Sequence, residues 1–234
     1  PNESVTLYIL IYVNDNKEKY KLYDIENEIE RIKKIDYNNE LKLTKNYWRK
    51  YVKNHNMLEL DITNEEYKEK IEKIYNRSIL LYPLLINETT GGIQAAVEVD
   101  EKLDKCGRYA YCWTRDAAFI TEALDILKME KETEKFYKHF CKNTQSKNGM
   151  WEQRFYTDGR LAPCWGYQID ETASVIYGIY EHYQVVKDIK FLRDNLRMME
   201  NALIFLEKYI DDILSGNNKL HVSYDLWEMC EGIH

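Results

Sequence analysis

From Thr63 onward the apolar residues of this chain recur by fours and threes, and no alternating strand pattern interrupts them. That spacing returns to the same face of an α-helix at every step, so it constrains the fold more than any other feature. Tyr67, Ile71, Ile74, Ser78, Leu81 and Leu85 line one such face, behind a capping box of Thr63 and Glu66. A second helix is expected over Asp116–Lys128, with Ala117, Phe119, Ile120, Ala123, Leu124 and Leu127 as its apolar residues. A third is expected over Lys131–Thr144. A fourth starts near Asp170 and carries Val175, Ile176, Ile179, Tyr180 and Tyr183. A fifth carries Leu192, Leu196, Met199, Leu203, Leu206, Ile210 and Ile213, with Gly216 placed to end it in the left-handed conformation. A sixth is expected to begin at the Trp227–Glu228 stretch. The fold class read from this pattern is mainly α.

The residues ahead of Thr63 read differently. Val5–Val13 is β-rich, a polar turn follows, and Tyr20–Ile25 is a second strand candidate. Two strands do not stand alone in water, so they suggest the trailing edge of a β domain. Residues 26–61 are rich in lysine and asparagine and read as a linker with some helix, anchored by Trp48 and Tyr51. The expected division is therefore 1–62, β segment and linker, and 63–234, helical domain.

Composition excludes several classes. The net charge is −7 and no basic patch stands out, which argues against a nucleic-acid partner. No stretch has the apolar length of a membrane span. The five cysteines are widely spaced without a CxxC pair, which reads as buried free thiols rather than a disulfide framework or a zinc site. The thiols, with an N-terminus lacking signal-peptide features, favour a cytoplasmic setting. No metal or organic cofactor is suggested.

The candidate chemistry sits between the helices, in the loops Asn87–Thr114, Gln145–Ile169 and Asn217–Tyr224. Loops of this length inside a compact domain are often functional. Trp113, Arg115 and Asp116 fall where the first loop turns into a helix. Asp116 could be a cap and Arg115 a surface charge. The sharper alternative is a sugar clamp, the ring stacking on its C–H face and the charged groups bonding its hydroxyls. Trp151 and Trp165 lie in the second loop, and no tryptophan falls in the five strongest helical patterns. Gln168 and Asp170 flank a helix start, where capping is the alternative role. Glu152 and Glu171 are possible acids that nothing local marks out. Glu228 stands beside Trp227, and a carboxyl group against an apolar ring loses hydration and is held protonated toward neutral pH.

Taken in order, GGIQAA (Gly91–Ala96), YCWTRDAAF (Tyr111–Phe119), GMWEQRFYTDG (Gly149–Gly159), QIDETASVIYGIYEHY (Gln168–Tyr183) and SYDLWEMCEGIH (Ser223–His234) resemble glycoside hydrolase family 15, the glucoamylase-like family. The resemblance implies helical hairpins in an inner and an outer ring, an (α/α)6 barrel, with an N-terminal β-sandwich ahead of it. It implies inverting hydrolysis of α-glucosidic bonds from a non-reducing end, one carboxylic acid protonating the leaving oxygen and a second carboxylate activating water. Residue by residue, Glu228 matches the general acid, Arg115 and Asp116 the pair that holds the terminal glucose, and Trp113 the aromatic beside them. Trp151 matches a ring flanking the leaving-group side, and Gln168 and Asp170 a supporting stretch near the pocket; Trp227, beside Glu228, is expected to bind substrate with them.

Two departures accompany the match. Met229 stands where the family often has a second glutamate, which bears on recognition beyond the first sugar. No residue here matches the family's general base, and about half of the barrel's helices are present. The expectation is an incomplete barrel whose partners are an α-glucan or α-glucoside and the missing C-terminal half, with the chain alone a poor catalyst. A trehalase-like or dextran-cleaving hydrolase of the same pattern and a non-catalytic glucan-binding or scaffold module are the alternatives.

Overall fold

The computed structural model of the chain describes residues 22–97, 109–164, 166–215 and 223–225. The chain divides into two units, Pro1–Tyr47 and Trp48–His234. Among the described residues the structure is helical, with isolated β-bridges and no sheet.

In the first unit lie α1 (Leu22–Lys33) and the start of α2 (Tyr37–His55). This corrects the strand expected over Tyr20–Ile25, because Leu22–Ile25 are helical. The β-type residues there run straight into ENEIERIK, whose strong helix formers decide the window. Val5–Val13 lies outside the described residues. The presumed linker is largely these two helices, and Asp36 caps α2 by accepting the N–H groups of Asn38 and Asn39 at 3.1 Å.

In the second unit the end of α2 is tied down by its side chains. His55 Nδ1 lies 2.9 Å from the Leu127 carbonyl oxygen, and Tyr51 packs against the core. The next helix, α3, spans Glu65–Leu85. Asn64, rather than Thr63, is its cap, with its side-chain oxygen accepting the Tyr67 N–H at 3.1 Å. Its inward face is Tyr75, Ile79 and Tyr82, each one residue past the expected Ile74, Ser78 and Leu81, while Leu85 is buried as expected and Ile86 packs just beyond the helix. A one-residue shift turns a helix face by about 100°. Ile74 is accordingly exposed, and Ile79 is fully buried.

Helix α4 runs Thr114–Ile126. The third expected helix is one rod in three parts, α5 (Glu130–Lys135), a π-helical turn (Phe136–Cys141) and α6 (Lys142–Thr144). The π turn brings Phe136, Tyr137, Phe140 and Cys141 all into the core. Full burial of large apolar side chains contributes about 1.5–3 kcal/mol each, which outweighs the weaker hydrogen bonding of a wide turn. Helices α7 (Asp170–Val186) and α8 (Ile189–Leu214) complete the set. Gly216 and the expected sixth helix lie outside the described residues. On α8 the buried residues are Phe191, Asn195, Met198 and Ala202, one position from the expected stripe, of which Leu192 and Met199 pack against the core while Leu196, Leu203 and Ile210 are half exposed. The loop before Trp151 packs on the helix near Met198 and Ala202. Gln145 Nε2 donates to the Met198 carbonyl at 2.9 Å, and a Cβ on Gly149 would collide with the backbone of Asn201.

The most extensive packing is α4 on α7, followed by α7 on α8. Ala117 and Ala118 on α4 and Gly178 on α7 are small enough for close approach. Buried Asp125 and His182 join the same two helices, with His182 Nδ1 2.8 Å from the carboxylate. Among the described residues no helix is long and apolar enough to cross a membrane.

Candidate active site

The loop ahead of α4 is held by a reciprocal pair of backbone bonds. Cys112 N–H donates to the Phe155 carbonyl at 2.8 Å, and Phe155 N–H to the Cys112 carbonyl at 2.9 Å. Phe155 and Leu161 pair across a turn at Thr157–Gly159, where Gly159 takes the positive φ of +89° that glycine tolerates best. This fastens the first loop to the second and delivers Trp113 to the start of α4. Trp113 is almost fully buried, in edge contact with Tyr111, and the Arg154 guanidinium lies over both rings at 5.5 and 4.9 Å from their centres.

Arg115 is the centre of the site and is only 7 % exposed, which removes the reading of it as surface charge. Its Nη1 donates to Gln168 Oε1 at 3.1 Å and to Asp170 Oδ2 at 3.0 Å, and lies 3.1 Å from Glu171 Oε1. Its Nη2 donates to Asp116 Oδ2 at 3.2 Å. One guanidinium fork thus gathers three carboxyl groups and an amide, the geometry for which arginine is suited and lysine is not. Asp116 is the member open to solvent, with 41 % of its side chain exposed, against 25 % for Asp170 and none for Glu171.

The carboxyl groups are perturbed together. Burial raises Glu171 to about 8 against the opposing pull of Arg115. Burial raises Asp170 to about 6, Arg115 opposing and Asp225 adding to the rise. Asp116 is raised in the same way, with Arg115 again opposing. Three carboxyl groups around one cation cannot all ionise as freely as in water.

Both helices entering the site are capped from outside. Trp113, at the cap position of α4, makes no side-chain cap bond, and Glu171 Oε2 instead accepts the Arg115 backbone N–H at 2.8 Å, together with Thr114 Oγ1 at 2.8 Å. At the start of α7, Asp225 Oδ1 accepts the N–H groups of Ile169 and Asp170 at 2.9 and 3.3 Å, and the Ser223 hydroxyl donates to the same oxygen at 2.5 Å. Tyr224 N–H donates to the Tyr167 carbonyl at 2.7 Å, which seats the segment 223–225 on the loop before α7.

The structure therefore brings Trp113, Arg115, Asp116, Gln168 and Asp170 to one place. Trp151 does not join them as a platform. Its ring is fully buried in the core, with Nε1 donating to the Cys141 carbonyl at 3.0 Å, so it has no face for a ligand. The expectation that loop tryptophans line a site is corrected there, because this loop folds inward against α7 and α8. Trp165, Trp227 and Glu228 lie outside the described residues. Sequence reasoning missed the roles of Glu171 and Asp225. Glu171 directly follows Asp170, and Asp225 stands three positions before Glu228, which were the available signals. Of the cysteines, Cys112 and Cys141 are buried free thiols and Cys164 is exposed.

A helical domain whose interhelical loops converge on a buried arginine and a partly exposed aspartate has the (α/α) architecture of glycosidases. A solved glycosidase overlays with a TM-score of 0.54 at 16 % identity, covering 74 % of this chain and 47 % of that one, a likeness of fold. The sequence model of Glycosyl hydrolases family 15 matches residues 69–234, and the chain belongs to that family. An uncharacterized glycosyl hydrolase of Methanocaldococcus jannaschii is 28 % identical over 211 residues, which is 87 % of this chain and 31 % of that protein. The chain thus spans about a third of the length of this relative and about half of the solved glycosidase.

Proposed function

We propose that this chain carries the sugar-binding end and the general acid of an exo-acting, inverting α-glucosidase of the glucoamylase type. The observation that supports the reading best is the Arg115 cluster. A buried guanidinium held by Gln168, Asp170 and Glu171 leaves Asp116 as the partly exposed carboxyl group beside the packed Trp113 ring. Such a pair can bond vicinal hydroxyls without reorganising, since its side chains are already locked. In this reading residues 63–234 form the first part of an (α/α)6 barrel, Glu228 protonates the leaving oxygen from beside Trp227, and a carboxylate elsewhere in the barrel activates water. The substrate is an α-glucan or α-glucoside.

A second reading within the family keeps the same roles with a different linkage, trehalose or an α-1,6 glucan. Met229 favours it, since it replaces the carboxylate that usually follows the acid and touches the neighbouring sugar. The test is glucose release from maltose, maltooligosaccharides, isomaltose and trehalose by the protein expressed from its natural reading frame, with Glu228→Gln as control. Release that collapses in the control supports the hydrolase, and the fastest-cleaved sugar names the linkage. Sugar binding without release in the folded protein supports a glucan-binding module instead.

A further inference from the structure

Glu171 touches residue 115 at both of its ends. Its carboxyl oxygen Oε2 accepts the Arg115 backbone N–H and the Thr114 hydroxyl, both at 2.8 Å. Its Oε1 lies at ion-pair distance from Arg115 Nη1, 3.1 Å, without the alignment of a hydrogen bond. The side chain is wholly buried, and burying a carboxyl group is costly unless its contacts are made. Capping α4 requires one acceptor oxygen. The second oxygen has no capping task and faces the guanidinium, so the acid does more than close a helix end. Asp116 is the next residue on α4, and its Oδ2 takes the other limb of the same guanidinium at 3.2 Å. Backbone and guanidinium of residue 115 thus bracket Asp116, and Glu171 holds both.

We propose that Glu171 is a positioning residue of the hydrolytic site, which locks the start of α4 and the Arg115 guanidinium in one register and so sets where Asp116 presents its carboxyl group to the sugar. The proposal rests on the reading of Arg115 and Asp116 as the sugar-holding pair. Glu171 itself is buried beneath that pair and acts through it.

Glu171→Gln separates the two tasks. The amide keeps an oxygen for Thr114 and the Arg115 N–H. It sets against the guanidinium a nitrogen with no lone pair to offer, whereas an acid has an oxygen lone pair there whether ionised or protonated. The experiment measures kcat/KM of the full-length protein on the fastest-cleaved sugar of the panel above, for Glu171→Gln, Asp116→Asn and the two combined. The expected result is native circular dichroism and roughly a tenfold loss in Glu171→Gln, within what a small misplacement costs. The same change should add no further loss in the Asp116→Asn background. Losses that multiply, or a folded Glu171→Gln with native kcat/KM, overturn the proposal. If Glu171→Gln does not fold, Thr114→Val removes one donor to the acid and is expected to give a smaller loss that likewise vanishes in Asp116→Asn; an additive loss overturns the proposal there too. Native activity in Asp116→Asn, or no cleavage of any sugar, overturns the underlying site reading, an outcome distinct from failure of Glu171 alone.

Discussion

The carboxylate of Asp225 accepts the backbone N–H of Ile169 at 2.9 Å and so caps α7 from a segment 56 residues further along the chain. Glu171, on the first turn of that helix, caps α4 in the same manner through Arg115. Each helix end that faces the site is thus closed by a carboxyl group belonging to a later element. The first N–H groups of a helix lack internal partners and carry its positive dipole end, so a carboxyl group supplied from outside satisfies both needs. The consequence is mechanical, since segment 223–225 cannot shift without disturbing α7, and α7 cannot shift without disturbing Arg115.

Stability of this cluster should decline as pH rises. Glu171 and Asp170 are raised to about 8 and about 6, from ordinary values of 4.5 and 3.8, with burial the leading cause in both. Between the ordinary and the raised values the folded chain binds protons that the unfolded chain has released. The contribution is therefore fully present below the unfolded values and is lost as pH climbs through the folded ones. The urea midpoint is expected to fall between pH 5 and pH 9, and Glu171→Gln to flatten that slope. A midpoint that rises with pH, with a slope the variant leaves unchanged, would contradict the assignment.

Removing the cation should cost more than removing any one of its partners. Arg115→Ala leaves the partly buried Asp170, raised only to about 6 and so ionised at pH 7.5, without its counter-charge, while Glu171, raised to about 8, is already mostly protonated there. Breaking a buried pair from one side typically costs about 3–5 kcal/mol. The loss is expected to be near the lower figure at pH 7.5 and smaller at pH 5, where Asp170 takes up a proton instead. Equal losses at both pH values, read from urea unfolding, would show that packing rather than charge accounts for it.

Much of this arrangement was legible in the sequence, and the errors have a common cause. Helix positions followed from the fours and threes, yet on α3 and α8 the inward face lies one residue from the apolar stripe. Periodicity identifies a face, but which face turns inward depends on what packs there, and the loop against Met198 and Ala202 is not visible from the helix itself. Arg115, Asp116, Gln168 and Asp170 could be grouped because their stretches occur in a family order. Glu171 could not, because its role depends on a contact to a residue 56 positions away. The strand reading of Tyr20–Ile25 erred in a related way. Tyrosine, leucine and isoleucine suit either element, and the helix formers that follow, Glu26 to Lys33, settle the window.

Close packing of α4, α7 and the π turn should make Gly178 intolerant of any side chain. A Cβ there would overlap the Tyr137 hydroxyl and approach Ala118 Cβ at 3.2 Å. Tyr137 is fully buried and bonded to Thr121 at 2.8 Å, so it cannot swing away freely. Gly178→Ala gains up to about 1 kcal/mol of helix propensity, while overpacking costs roughly 1–3 kcal/mol. A net fall in thermal midpoint is expected, and an unchanged or raised one would mean that the π turn yields.

Trp151 should matter for stability and not for sugar recognition. Its ring is buried, its Nε1–H donates to the Cys141 carbonyl at the end of the π turn, and its backbone N–H donates to Thr172 Oγ1 at 3.1 Å. Trp151→Phe keeps the backbone bond but removes the indole donor and leaves unfilled space. The loss of a buried hydrogen bond together with a cavity puts the destabilisation at about 1–3 kcal/mol. A ring that stacks on substrate would behave in the opposite way, since truncating it would raise KM and leave the unfolding midpoint nearly unchanged. Urea unfolding and KM for the fastest-cleaved sugar, measured on the same variant, therefore decide between a core residue and a sugar platform, and the expected pair is a lowered midpoint with a native KM.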